Sequence, residues 1–184
     1  MQGRQIHDCI GIAFEAINML SKKVKEGNVT YKVDIHKAFD TLNWNFLVLK
    51  HFGFHHSFFS WISTILRSTM LFVKFFPCSR GVRHDDLLSP LLFCLVDDVL
   101  SRGISKLVND NMILHMASPK AYLTLSHILY VDDIFVFCRA NNKSLKYLSI
   151  FLRKYGDFSG QYVNNSKSSF LTVDNSTRFI TKIQ

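Results

Sequence analysis

The chain has 184 residues, 48% apolar and 20% charged, with 22 Lys+Arg against 14 Asp+Glu for a formal net charge of +8. This length suits one domain, and the apolar content, with 17 Phe, excludes an intrinsically disordered chain. No apolar stretch reaches the roughly 18 residues that cross a bilayer, and the N-terminus lacks a signal-peptide pattern, so the chain is expected to be soluble and intracellular, with no membrane partner. Cys9, Cys78, Cys94 and Cys138 have neither metal-knuckle spacing nor a dense disulfide framework and read as reduced, mostly core thiols. The basic balance favours a polyanionic partner, although the densest cluster is only Lys22, Lys23 and Lys25.

Ile10, Phe14, Ile17 and Leu20 fall at helical spacing and predict a helix from Ile6 to about Lys25. Val29 to Ile35 alternates as a strand does, with Tyr31, Val33 and Ile35 apolar. Asn43 is an expected N-cap for a helix through Phe46, Leu47 and Lys50 that Gly53 ends, and Ser57 for another from Phe58 to Leu66. A strand is expected around Leu71 to Phe76, then a polar loop from Gly81 to Leu88. Ser89 as N-cap and Pro90 at the first helical position start a helix through Leu92, Val96 and Leu100. His127 to Cys138 reads as two short apolar strands around an acidic pair. Leu145, Leu148, Phe151, Leu152 and Tyr155 predict a last amphipathic helix ending near Gly160. Intermingled helices and strands point to an α/β or α+β fold, with helices laid against an antiparallel sheet.

Of the 14 acidic residues 12 are Asp, a short, stiff carboxylate ligand. Asp132 and Asp133 lie between the apolar runs ILYV and IFVF. Two ionised carboxylates in such surroundings repel each other unless a cation offsets both; the competing reading is an exposed hairpin tip, which Asp also suits. Asp34 ends the strand YKVDI just before a helical segment. One strand delivering a carboxylate beside a hairpin delivering two makes a set of hard oxygen ligands suited to Mg²⁺. Two such ions about 4 Å apart can activate an attacking hydroxyl and stabilise the leaving oxygen of an in-line displacement at phosphorus. The fold must assemble this cluster, because 98 residues separate Asp34 from Asp132.

At these residues the sequence resembles the reverse transcriptase of LINE-type, non-LTR retrotransposons, in the form abundant in plants. Five blocks occur in the family's order over nearly the whole chain: GRQIHDCIGIAFE, KVDIHKAFD as motif A, RGVRHDDLLSPLLF as motif B, YVDD as motif C and SGQYVNNSKS as motif D. The resemblance implies an α+β fold with a polymerase palm-like antiparallel sheet packed against helices, over a single domain at 1–184 with the fingers partial and the thumb missing. It implies that Asp34, Asp132 and Asp133 are catalytic and hold two Mg²⁺ ions, which Mn²⁺ can replace. It implies that Phe39 packs under the sugar of the incoming dNTP and rejects a ribose 2′-hydroxyl. Arg83, His84 and Asp85 would approach the nucleotide, and Lys167 its triphosphate. RNA template and DNA primer are the implied partners, and nuclear residence follows only from family behaviour.

Motif B departs from the family pattern Arg-Gln-Gly-Asp-Pro-Leu-Ser-Pro: His84 stands for Gln, Asp85 for Gly and Leu87 for Pro. Replacing Gly by Asp removes close backbone approach and adds negative charge where a triphosphate rests. The expected function is therefore an RNA-directed DNA polymerase palm, transferring a dNTP to a primer 3′-hydroxyl, with impaired or no activity. A non-catalytic nucleic-acid-binding remnant of a retroelement is the alternative. A metal-dependent phosphohydrolase is disfavoured, because the eight His are scattered and His55-His56 reads as a structural turn.

Overall fold

A computed structural model describes residues 6–18, 20, 27–43, 46, 55, 57, 60–62, 64, 80–82, 88–117, 125–130 and 133–172. Its elements are α1 (Ile6–Asn18), β1 (Asn28–Asp34), α2 (Ala38–Thr41), α3 (Leu88–Asn109), β2 (His127–Tyr130), β3 (Asp133–Arg139), α4 (Asn142–Ser159) and β4 (Ser169–Thr172). The four strands form one antiparallel sheet in the order β2-β3-β1-β4. β1 is therefore flanked on both sides, and its partners come from 99 or more residues downstream of Asp34.

Alternation along the strands sorts the two faces. Val29, Val33, Ile134, Val136 and Cys138 point to one face and join the larger core with Leu92, Val96, Leu100 and Ile104 of α3 and Leu145, Leu148 and Leu152 of α4. Phe137 is buried on the opposite face against Ala16 of α1, Leu20 and Met116, with Phe135 and Ile128 at its margin. Asp34, Lys32 and Asp133 lie on this second face, since they alternate with Val33 and Ile134. Among the described residues, no helix is long and apolar enough to cross a membrane.

The predicted strand over 29–35 and the two strands flanking the acidic pair are present. α4 has the expected amphipathic spacing, and its ends are capped. Asn141 accepts from the Ser144 N–H at 2.7 Å, and Gly160, at φ 80°, donates its N–H to the Gly156 carbonyl at 2.8 Å. α3 begins at Leu88, so Ser89 is inside the helix instead of capping it. Pro90 is tolerated there because an N–H in the first turn has no intrahelical acceptor. Positions 60–62 and 64 are helical as expected, but Ser57, expected as the N-cap, is itself helical, and His55 Nδ1 accepts its N–H at 3.3 Å, which makes His55 the local cap. The expected helix past Asn43 and the strand at 71–76 fall outside the described residues, save Phe46. Asn43 itself bridges to Arg80.

Candidate active site

Asp34 and Asp133 are direct partners across the β1–β3 ladder. Partners that face each other in an antiparallel pair project to the same side of the sheet. Asp34 donates its backbone N–H to Ser168 Oγ at 3.1 Å, and its carbonyl accepts from the Asn164 N–H at 2.8 Å. Both backbone groups thus turn away from β3, which makes the two aspartates a non-hydrogen-bonded pair. In such pairs the Cα atoms approach to about 4.5 Å and the side chains are at their closest. Asp133 also pairs with Tyr130 of β2. Asp132, one of the two residues between them, lies outside the described residues.

Among the described residues, a cation that contacts this pair was missed by the sequence reading. Lys32 Nζ lies 3.1 Å from Asp133 Oδ2 and 5.9 Å from the centroid of Phe135. Its signal was the two-residue spacing to Asp34, which on a strand puts both side chains on one face.

The segment after Asp34 is clamped from two directions. From the 159–163 side, the Tyr162 carbonyl accepts the His36 N–H at 2.9 Å, the Ser159 carbonyl accepts the Asn43 N–H at 2.7 Å, and Val163 bridges to Ile35. From the 80–82 side, Gly81 and Val82 donate their N–H groups to the carbonyls of Leu42 and Phe39, both at 2.8 Å. Gly81, at φ 88°, lets the two backbones meet, since a Cβ there would stand 2.9 Å from the Asp40 carbonyl oxygen. Buried Gln161 completes the joint: its Oε1 accepts from the Tyr155 hydroxyl at 2.7 Å and its Nε2 donates to the Ala38 carbonyl at 3.3 Å. Burial, reinforced by the charge of Asp97, pushes the Tyr155 hydroxyl well above its ordinary range, so it stays a donor.

Phe39 is half-buried and stacks on Phe93 of α3, centroids 4.7 Å apart and planes inclined by 14°. Lys167 is exposed in the turn at 165–167, directly between Asn164 and the residue Ser168 that together bond the Asp34 backbone. Arg83, His84 and Asp85 fall outside the described residues. Cys138 is buried, as expected of a core thiol, whereas Cys94 is exposed on α3 because its position there faces away from the apolar stripe.

No group of three or more His, Cys, Asp or Glu stands together among the described residues; the described carboxylates that face each other at this end of the sheet are those of Asp34 and Asp133. Two carboxylates on adjacent strand ends match the donors of Mg²⁺, which takes one or two carboxylates plus substrate phosphates.

The family described as "Reverse transcriptase (RNA-dependent DNA polymerase)" matches residues 1–181. Among solved structures, telomerase from Candida albicans, in complex with a fragment of telomeric RNA, superposes with a TM-score of 0.54 at 15% identity. The match covers 95% of this chain and 31% of that one. The chain therefore spans about a third of that neighbour and shares its fold, an α+β polymerase palm with an antiparallel sheet. With the family matched over all but the last three residues and the sheet built in this way, the chain belongs to the reverse transcriptase, or RNA-dependent DNA polymerase, family.

Proposed function

We propose that this chain is the palm of an RNA-directed DNA polymerase of a plant-like, LINE-type retroelement, and that Asp34, Asp132 and Asp133 hold two Mg²⁺ ions, for which Mn²⁺ can substitute. The observation that carries the reading is the register that sets Asp34 against Asp133 on one face of the sheet. When bound, the ions would supply activation of a primer 3′-hydroxyl and stabilisation of the leaving oxygen at phosphorus.

The chain's own residues have separable roles in this reading. Ser168 and Asn164 hold the Asp34 backbone so that its carboxylate is aimed before substrate arrives. Phe39, braced by Phe93, forms the floor beneath the sugar of the dNTP. Arg83 and Lys167 meet its phosphates. RNA template and DNA primer are the partners, consistent with a net charge of +8. His84, Asp85 and Leu87, where the family pattern has Gln, Gly and Pro, weaken nucleotide positioning, so polymerisation by this chain is impaired.

Two measurements test the reading. Mn²⁺ is expected to raise the melting temperature of the wild type, and Asp34→Asn to abolish the rise. Primer extension on an RNA template is expected to be weak, to increase when His84→Gln, Asp85→Gly and Leu87→Pro are combined, and to vanish when Asp133→Asn is added. RNA binding that is salt-sensitive but indifferent to metal, with no extension by any variant, would replace this reading with that of a non-catalytic binding module.

A further inference from the structure

Lys32 stands on the same sheet face as the aspartate pair, opposite Phe135 in the ladder. Its ammonium contacts Asp133 Oδ2 at 3.1 Å, and both side chains are about one-third exposed, at 35% and 32%. The Phe135 ring lies 5.9 Å from the ammonium, within the range of a cation–π attraction that adds to the hold on it. An oxygen that receives an ammonium at this distance cannot at the same time give its full charge to a divalent ion. Lysine suits such exchange, since its point charge rides on a flexible four-carbon stem and can leave without rearranging the strand.

We propose that Lys32 is a built-in competitor of the divalent cation: its ammonium offsets part of the negative charge of the Asp34–Asp133 pair through Asp133 and must be displaced from Asp133 when an ion binds there. The inference rests on the two-metal reading above and deepens it by assigning a residue that sets the affinity of that site. Removing the competitor has two opposite consequences. The protein without metal loses a counter-ion for two facing carboxylates, and the site gains affinity for the metal.

The test is calorimetric titration of the full chain with Mn²⁺ alone. Lys32→Gln is compared with Lys146→Gln, which removes the same charge from an exposed position on α4, and with Lys32→Arg, which keeps it. Lys32→Gln is expected to bind Mn²⁺ about threefold to tenfold tighter than Lys146→Gln, the order set by one like charge at a partly solvated site. Lys32→Arg should stay near the wild type. Affinity in Lys32→Gln equal to or weaker than in Lys146→Gln overturns the proposal. Should Lys32→Gln fail to fold, the side-chain NMR signal of Lys32 in the wild type decides the matter during a Mg²⁺ titration. A shift that is absent in Asp34→Asn supports displacement, and a signal unmoved at saturation refutes it. If the wild type binds Mn²⁺ no better than Asp34→Asn does, the two-metal reading itself fails and this inference with it. Binding that depends on Asp34 but is indifferent to Lys32 sinks the inference alone.

Discussion

A Cβ placed on Gly160 would collide with the carbonyl oxygen of Thr41. The end of α4 is thereby pressed onto the backbone that follows Asp34, and the contact is possible only without a side chain, at a φ of 80° that L-residues avoid. Gly160→Ala is expected to destabilise the protein by about 2–4 kcal/mol, combining the left-handed penalty with a forced backbone shift. Urea denaturation checks this, and a change under about 1 kcal/mol would mean that the joint yields easily.

Lys37 presents the reverse case. It adopts φ 47°, ψ 52° at the entry to α2, and a left-handed conformation costs a non-glycine residue about 1–2 kcal/mol. Glycine relieves that strain but loses about 0.5–1 kcal/mol more chain entropy on folding. Lys37→Gly should accordingly leave stability unchanged or raise it by up to about 1.5 kcal/mol. Thermal unfolding with and without the substitution measures the sign.

Like charges placed directly opposite each other in a sheet are unfavourable by about 0.2–1 kcal/mol. Asp34→Asn removes one of them and should raise the melting temperature slightly in EDTA, while eliminating the gain that Mn²⁺ gives the wild type. A variant that is more stable without metal and blind to metal would show that this pair is kept at the expense of the fold.

His127 on β2 is held between Ser101 Oγ, 2.7 Å from Nε2, and Ser126 Oγ, 2.9 Å from Nδ1. Burial lowers its pKa below the ordinary 6.5, so the unfolded chain binds the proton more readily. The resulting stability is fully present above pH 6.5 and is lost as the pH falls from there through the lowered folded value. Melting temperatures between pH 7.5 and pH 5 should decline less in His127→Gln than in the wild type. An identical decline would assign the acid sensitivity to other groups.

The thiols divide by location. Cys138 is fully buried and burial pushes its pKa up to about 12, whereas Cys94 is exposed. Only a thiolate attacks a disulfide reagent. At pH 8 a thiol-reactive probe followed by peptide mapping should modify Cys94 in the folded protein and reach Cys138 only after denaturant is added.

Much of this architecture could be read before any coordinates. The alternation of Tyr31, Val33 and Ile35 identified β1, the acidic pair between apolar runs located the β2–β3 turn, and the stripe of Leu145, Leu148 and Leu152 with Gly160 behind it gave α4. Each signal repeats over several residues. β4 escaped notice because Ser169–Thr172 is a four-residue edge strand, too short for alternation to stand out. α2 was anticipated only as a helical start, since a single turn has no period to detect. The aspartates announced themselves by residue type, but the groups that aim Asp34 did not. Ser168 and Asn164 act through a hydroxyl and a backbone N–H brought in from 130 or more residues away, and a main-chain donor leaves no trace in residue identity. The sequence reading singled out Lys167, yet Asn164 and Ser168, at the two ends of its turn, are the ones that bond the Asp34 backbone.

The strand order has a consequence for how the protein is made. β1 is central, but its neighbours β3 and β4 are encoded far later in the chain. At the usual 5–20 residues per second of synthesis, Asp133 leaves the ribosome about 5–20 s after Asp34. Throughout that delay Val29 and Val33 have no partner strand, and the nascent polypeptide carries one half of its carboxylate pair in an unpaired segment that translation must outrun aggregation to complete.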